Sequence, residues 1–186
     1  MVPLTALWLP ILLAAVIVFI ASSIMHMVLP YHKNDYRQLP DEEKVRGALR
    51  GLSLPRGLYI IPYGTHKDMN TPAMQEKYKQ GPVAFITVLP SAPPAMPKFL
   101  SQWVAYCLII GIFVAYITGR VVAPGTNYLA VFRVAGTVAF MSYGLGHLSN
   151  GIWKGQPWGM TIKEVFDGLV YALLTAGTFG WLWPHT

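Results

Sequence analysis

The feature that most constrains this chain is the run from Leu4 to Leu29, which contains no Asp, Glu, Lys or Arg. A helix needs about 20 consecutive apolar residues to cross a hydrocarbon core, and a run of this length has few other uses. A signal peptide differs in two respects, since it carries a basic residue ahead of a shorter apolar core. Here the first basic residue is Lys33, beyond the run. The stretch therefore reads as a retained first span, residues 1–29, with its helix from Leu7 and with Pro10 near the first turn, where a missing N–H costs nothing.

Charge is distributed to match. Of fourteen Lys and Arg, ten lie between Tyr31 and Lys98, together with six of the eight Asp and Glu. The remainder, residues 99–186, yields three further spans at about 99–122, 128–148 and 162–183. Ala123-Pro124-Gly125-Thr126-Asn127 is a turn rich in helix breakers, so the second and third spans form an antiparallel hairpin. A polar link, Ser149 to Gly159, leads to the fourth. Thr161 followed by Glu164 has the spacing of a capping box, which predicts a helix start there. The expected fold class is thus an all-α membrane protein of about four transmembrane helices, with a small mixed α/β cytoplasmic segment between helices 1 and 2. Basic residues at the ends of the first and third links place both termini outside and residues 30–98 in the cytoplasm. The net charge of +6 belongs to membrane topology and headgroups, since no groove-reading motif accompanies it; nucleic acid is excluded as a partner.

Residues 30–98 are patterned. Asp41, Glu42 and Glu43 supply acids for a helix N-terminus, and Val45, Ala48, Leu49 and Leu52 then fall on one apolar face. That face is the candidate surface for docking on a partner subunit. Leu58–Ile61 and Val83–Leu89 read as strands of undecided pairing, with a helix from Pro72 to Tyr78 between them.

Small residues recur every four positions in two spans: Gly111, Ala115 and Gly119 in the second, and Gly168, Ala172, Ala176 and Gly180 in the fourth. Such stripes let helix backbones approach closely. His26 and His147 fall near the same ends of spans one and three, and are the candidate ligands for a haem iron or another metal. Chlorophyll-type magnesium is one such metal, and copper another, for which Met25, Met27 or Met141 would add soft ligands. Glu164 and Asp167 start the fourth span, with Lys163 and Asp167 spaced as an ordinary i,i+4 pair. Arg120 and Arg133 reach for the outer headgroups. The single cysteine, Cys107, excludes internal disulfide and dithiol chemistry. P-loop, dinucleotide, HExxH and nucleophile-elbow motifs are all missing, so no catalytic constellation is identified.

The segment from Ile152-Trp153-Lys154-Gly155-Gln156-Pro157-Trp158 to Phe179-Gly180-Trp181-Leu182-Trp183-Pro184, with the opening Ser22-Ser23-Ile24-Met25-His26-Met27-Val28-Leu29-Pro30, resembles small bacterial integral-membrane proteins of no known activity. The resemblance implies a bacterial inner-membrane setting. Taken together, these features favour a non-enzymatic accessory subunit of a larger membrane complex, of respiratory or photosynthetic type. The alternatives are a haem- or metal-binding electron-transfer protein using His26 and His147, and a small transporter.

Overall fold

The computed structural model describes residues 1–185. The chain is mostly helical, with one two-stranded sheet, and divides into two compact units. One comprises Met1–Tyr36 together with the chain from Ala95 onward; the other is Arg37–Pro94.

The first unit is a bundle of four long helices. A 3-10 turn, Leu4–Leu7, leads into α1 (Trp8–Ser23), which ends in a π-turn, Ile24–Val28. The later elements of this unit are α4 (Met96–Val121), α5 (Tyr128–Tyr143), the short α6 (Leu148–Trp153) and α7 (Trp158–Trp181). Among the described residues, three stretches are long and apolar enough to cross a membrane: Leu4–Val28, Met96–Val121 and Tyr128–Trp153. The fourth helix, α7, has the length but not the apolar content, because Lys163, Glu164 and Asp167 occupy its early turns. Side chains as large as Leu12, Ile109, Phe113, Leu129 and Leu173 are exposed around the bundle.

Within the bundle, α5 packs most extensively on α7, while α1 rests against α4 and α7. Small residues set these distances. A Cβ at Gly168 would stand 2.4 Å from the Cα of Gly144, so only glycine permits the α5–α7 crossing there. Gly180 faces the Tyr128 ring in the same way, and Gly136 faces Ala176. In α4, Gly111 abuts Ile11, and Gly119 lies against the backbone oxygen of Val2. Ala115, Ala172 and Ala176 are buried among these contacts. Both stripes therefore face other helices of the same chain.

Two boundaries move from their expected places. The third span does not end at residue 148: the backbone tightens into a 3-10 turn at Leu145–His147 beside the crossing, then continues as α6 into the first part of the expected polar link. The capping box does not form. Helix α7 starts at Trp158, so Thr161 lies inside it and its hydroxyl donates to the Pro157 carbonyl, while Glu164 is engaged elsewhere. Pro157 sets the earlier start, because a proline just ahead of a helix tolerates the extended entry that the first turn needs.

The second unit holds α2 (Glu42–Gly51), β1 (Gly57–Ile61), α3 (Pro72–Gln80) and β2 (Ala84–Val88). Asp41 caps α2 by accepting from Lys44 N at 3.1 Å, and Thr71 caps α3. The strands pair antiparallel, with Tyr59 opposite Ile86 and Ile60 opposite Phe85. This unit is shorter than the expected segment 30–98 at its start, because residues up to Tyr36 belong with the bundle.

The crossing makes a direct prediction. Gly168→Leu should lower thermal stability in detergent by about 1–3 kcal/mol or more through overpacking against backbone. Gly159→Ala, in the same helix with open space around it, should not. Equal melting temperatures for the two variants would rule out the close crossing.

Candidate functional site

Chemistry gathers at one end of the bundle, where α1 finishes and α7 begins. The π-turn closes with Leu29 N donating to Ile24 O at 3.0 Å, and Pro30, which has no N–H to continue a helix, starts a tight turn over Pro30–His32. Lys33 N and Asp35 N donate back to Pro30 O and His32 O. These two turns lay Tyr31, His32 and Asp35 on the first turns of α7.

Asp167 is the centre of the resulting network. It is a helical carboxylate only 3% exposed. A charge so placed must be paired and hydrogen-bonded, or its desolvation would outweigh the packing around it. The Tyr31 hydroxyl donates to its Oδ1, and His32 Nε2 lies 2.8 Å from its Oδ2. His32 Nδ1 in turn is 2.5 Å from Asp35 Oδ2. Lys163 Nζ donates to Asp35 Oδ1 at 2.5 Å and to the Tyr31 carbonyl at 2.6 Å. Hydrogen bonds from Lys163 and then His32 hold the Asp35 carboxyl below its ordinary range, while burial and the Asp167 carboxylate push the Tyr31 phenol up. With carboxylates at both ring nitrogens, a doubly protonated His32 donates to both and a neutral ring to one.

His26, on the π-turn, stacks on His32 with ring centroids 4.5 Å apart and 12° between planes. Its Nδ1 lies 3.1 Å from the Ser22 carbonyl, and its Nε2 is 3.8 Å from Asp167 Oδ2. Both neighbours only accept, and only the Ser22 carbonyl is within hydrogen-bond distance, so a neutral His26 that donates carries its proton on Nδ1. One ligand atom from each of His26, His32 and Asp167 lies within 4.8 Å of the others.

Beside this cluster is a pocket of about 560 Å³, lined by His26, His147, Glu164, Asp167, Met27 and Met96 among others. Trp103, Tyr106, Tyr143 and Tyr171 form its aromatic wall, packed ring against ring at centroid distances of 5.4 to 6.5 Å. Trp103 Nε1 donates to Ser22 Oγ at 2.9 Å, which ties α4 to α1 at this level. His147 Nδ1 is 3.2 Å from Glu164 Oε2, and Gln156 Nε2 donates to the same oxygen at 2.7 Å.

The structure thus brings His26, His147, Glu164 and Asp167 to one pocket, as their positions in the sequence had suggested for the two histidines. It replaces the expected Lys163–Asp167 pair: Lys163 turns to Asp35, and Asp167 to Tyr31 and His32. Met25 is buried, Met27 lines the pocket, and Met141 is exposed. Arg133 is exposed on α5 and forms no ion pair among the described residues, and Arg120 lies over the Tyr116 ring. On α2, Val45, Ala48 and Leu52 are exposed and Leu49 is half-buried. Tyr31, His32 and Asp35 escaped the sequence reading. Their one local signal is a His-x-x-Asp spacing immediately after an apolar run. No protein-family model matches the chain, and neither a curated protein nor a solved structure gives a significant match.

The network predicts coupling between distant residues. Lys163→Met should destabilise the protein by about 1–2 kcal/mol, because it leaves the Asp35 carboxylate short of a partner. In a double-mutant cycle with Asp35→Asn the two losses should be less than additive by at least about 0.5 kcal/mol. Strict additivity in detergent unfolding would show that the pair contributes no coupling.

Proposed function

We propose that this chain is an integral membrane protein, with α1, α4, α5 and α7 crossing the bilayer, that binds a cofactor or small ligand in the pocket at one end of its bundle. The observation that carries the proposal is the convergence of two imidazoles and two carboxylates, from three separate segments, on a single pocket. Ionisable groups at the edge of an apolar bundle are costly to place and mark functional sites by default. Outer surfaces rich in Leu, Ile and Phe support the membrane setting, since a belt of that size is a liability in water. Early charges in α7 fit a headgroup-level start, with the network of Asp35, His32 and Lys163 covering them.

Electron transfer is one activity such a pocket would serve if its ligand is redox-active, with His26 and His147 both on its wall. The orientation that fits the basic residues has both termini outside and residues 30–98 in the cytoplasm, which puts the pocket at the inner face of a bacterial inner membrane. A cysteine introduced at Ser53 should resist impermeant thiol reagents in intact cells; labelling from outside would reverse the topology. Native mass spectrometry of the purified full chain, with an absorption spectrum, should reveal a retained small molecule or metal. Its occupancy should fall several-fold in His147→Ala together with Glu164→Gln, whereas a ligand-free wild type would remove the basis for this reading.

A second observation favours the accessory-subunit reading alongside the first. Met74 is the one buried residue between 37 and 94, while Leu52, Leu58, Tyr63, Val83, Phe85 and Leu89 are exposed. A two-stranded sheet with so small a core is marginal alone, and a partner subunit would cover what it leaves open. Leu52→Glu, at the residue that ends α2, should release an associated chain from the mildly extracted complex; extraction as a bare monomer would dispose of the partner.

A further inference from the structure

The polar network does more than hold the α1–α7 junction together. Both imidazoles have the outer contacts that metal-bound histidines have: each has its Nδ1 against an acceptor, and each has its Nε2 within 4 Å of the same carboxylate. For His26 the acceptor is the Ser22 carbonyl at 3.1 Å; for His32 it is the Asp35 carboxylate at 2.5 Å. Outer partners of this kind fix the tautomer and raise the basicity of the coordinating nitrogen. Asp35 is itself held by Lys163, and the Tyr31 hydroxyl occupies Oδ1 of Asp167, leaving Oδ2 toward the two rings.

We propose that His26 Nε2, His32 Nε2 and the Asp167 carboxylate form a mononuclear site for a divalent first-row transition metal, open to the pocket. The inference rests on the reading of that pocket as a ligand site and assigns its chemistry. Two imidazoles and one carboxylate suit zinc, iron, cobalt or manganese; magnesium and calcium prefer all-oxygen sets, and Cu(I) prefers sulfur. Three protein ligands leave positions free, and because His26 and Asp167 both line the 560 Å³ pocket, a molecule held there would reach the metal directly. His147 and Glu164 share the pocket and are placed to hydrogen-bond such a molecule.

One rearrangement is required. A metal lies in the plane of the imidazole that binds it, and two rings stacked at 12° do not share such a point. The side chain of His26 is 52% exposed, whereas that of His32 is 12% exposed and clamped at both nitrogens. His26 is therefore the ring that turns. The metal takes the place of the proton between His32 Nε2 and Asp167, which passes to solvent. The π-turn that carries His26 gives this motion a local basis, since such irregular turns recur where a helix presents a functional side chain.

The test uses the full-length protein in mild detergent, without a polyhistidine tag, stripped with a chelator and titrated with Co(II), whose d–d absorption reports its ligands. The wild type should bind one equivalent, and zinc should displace it. His26→Ala should weaken cobalt by about 100-fold or more, since even outer partners of a metal site are worth about 10–100-fold in affinity. The variant should still fold, because the hydrogen bonds among Tyr31, His32, Asp35, Lys163 and Asp167 do not pass through His26. Unchanged cobalt binding in folded His26→Ala overturns the ligand assignment. A wild type that takes no cobalt but retains a small molecule in its pocket overturns the metal site alone; one that takes neither overturns the pocket reading with it.

Discussion

The structure turns on one buried charge. Asp167 sits in the third turn of a long helix, 3% exposed, and a carboxylate there is stable only with its oxygens occupied. Its neighbours in sequence do not meet that need. Groups some 135 positions earlier do: Tyr31 and His32, delivered by the turn that follows the first helix. Once His32 is placed, its second nitrogen lies against Asp35, and Asp35 needs a cation, which Lys163 on the same helix as Asp167 supplies. The loop of contacts closes on α7. Residues up to Tyr36 consequently belong to the bundle rather than to the polar unit that follows them.

Packing and chemistry meet at the same level. The Gly144–Gly168 crossing brings α5 and α7 close, one residue along from Asp167, and the backbone beyond Gly144 tightens into the turn that carries His147. Close approach thereby sets how far His147 stands from Glu164, and so shapes one side of the pocket. On the other side, the π-turn at the end of α1 places His26. Irregular backbone occurs on both of these helices at the pocket, while their apolar middles are regular helix. In an apolar setting the backbone has little freedom to deviate from helix, because unpaired N–H and C=O groups have no water to meet; at the ends, polar side chains supply the missing partners.

Apolar runs with breakers between them marked the long helices, three of them long and apolar enough to cross a membrane and α7 more charged at its start. Periodicity marked α2, β-branched and aromatic content the short strands, and the four-residue spacing of small residues the face on which Gly168, Ala176 and Gly180 meet α5. Capping was misread at Thr161. The same Thr–Glu spacing occurs one turn inside a helix, and the start set by Pro157 places it there. The pair Lys163 and Asp167 was misread for a related reason: helical spacing makes the contact available, but a longer-range partner of better geometry takes each side chain.

By itself, then, the sequence determined the number of long helices, their approximate ends and the two histidines worth watching, because those follow from hydropathy, length and local spacing along the chain. Strand pairing, the interruption after Gly144 and the company that Asp167 keeps were decided only by tertiary structure. Each depends on which distant segment a buried polar group or an approaching backbone meets, and no local pattern in Tyr31, His32 or Asp35 encodes a helix that begins more than a hundred residues later. The tertiary fold likewise turned two scattered histidines into members of different groups, His26 with His32 and Asp167, and His147 with Glu164, on the wall of one pocket.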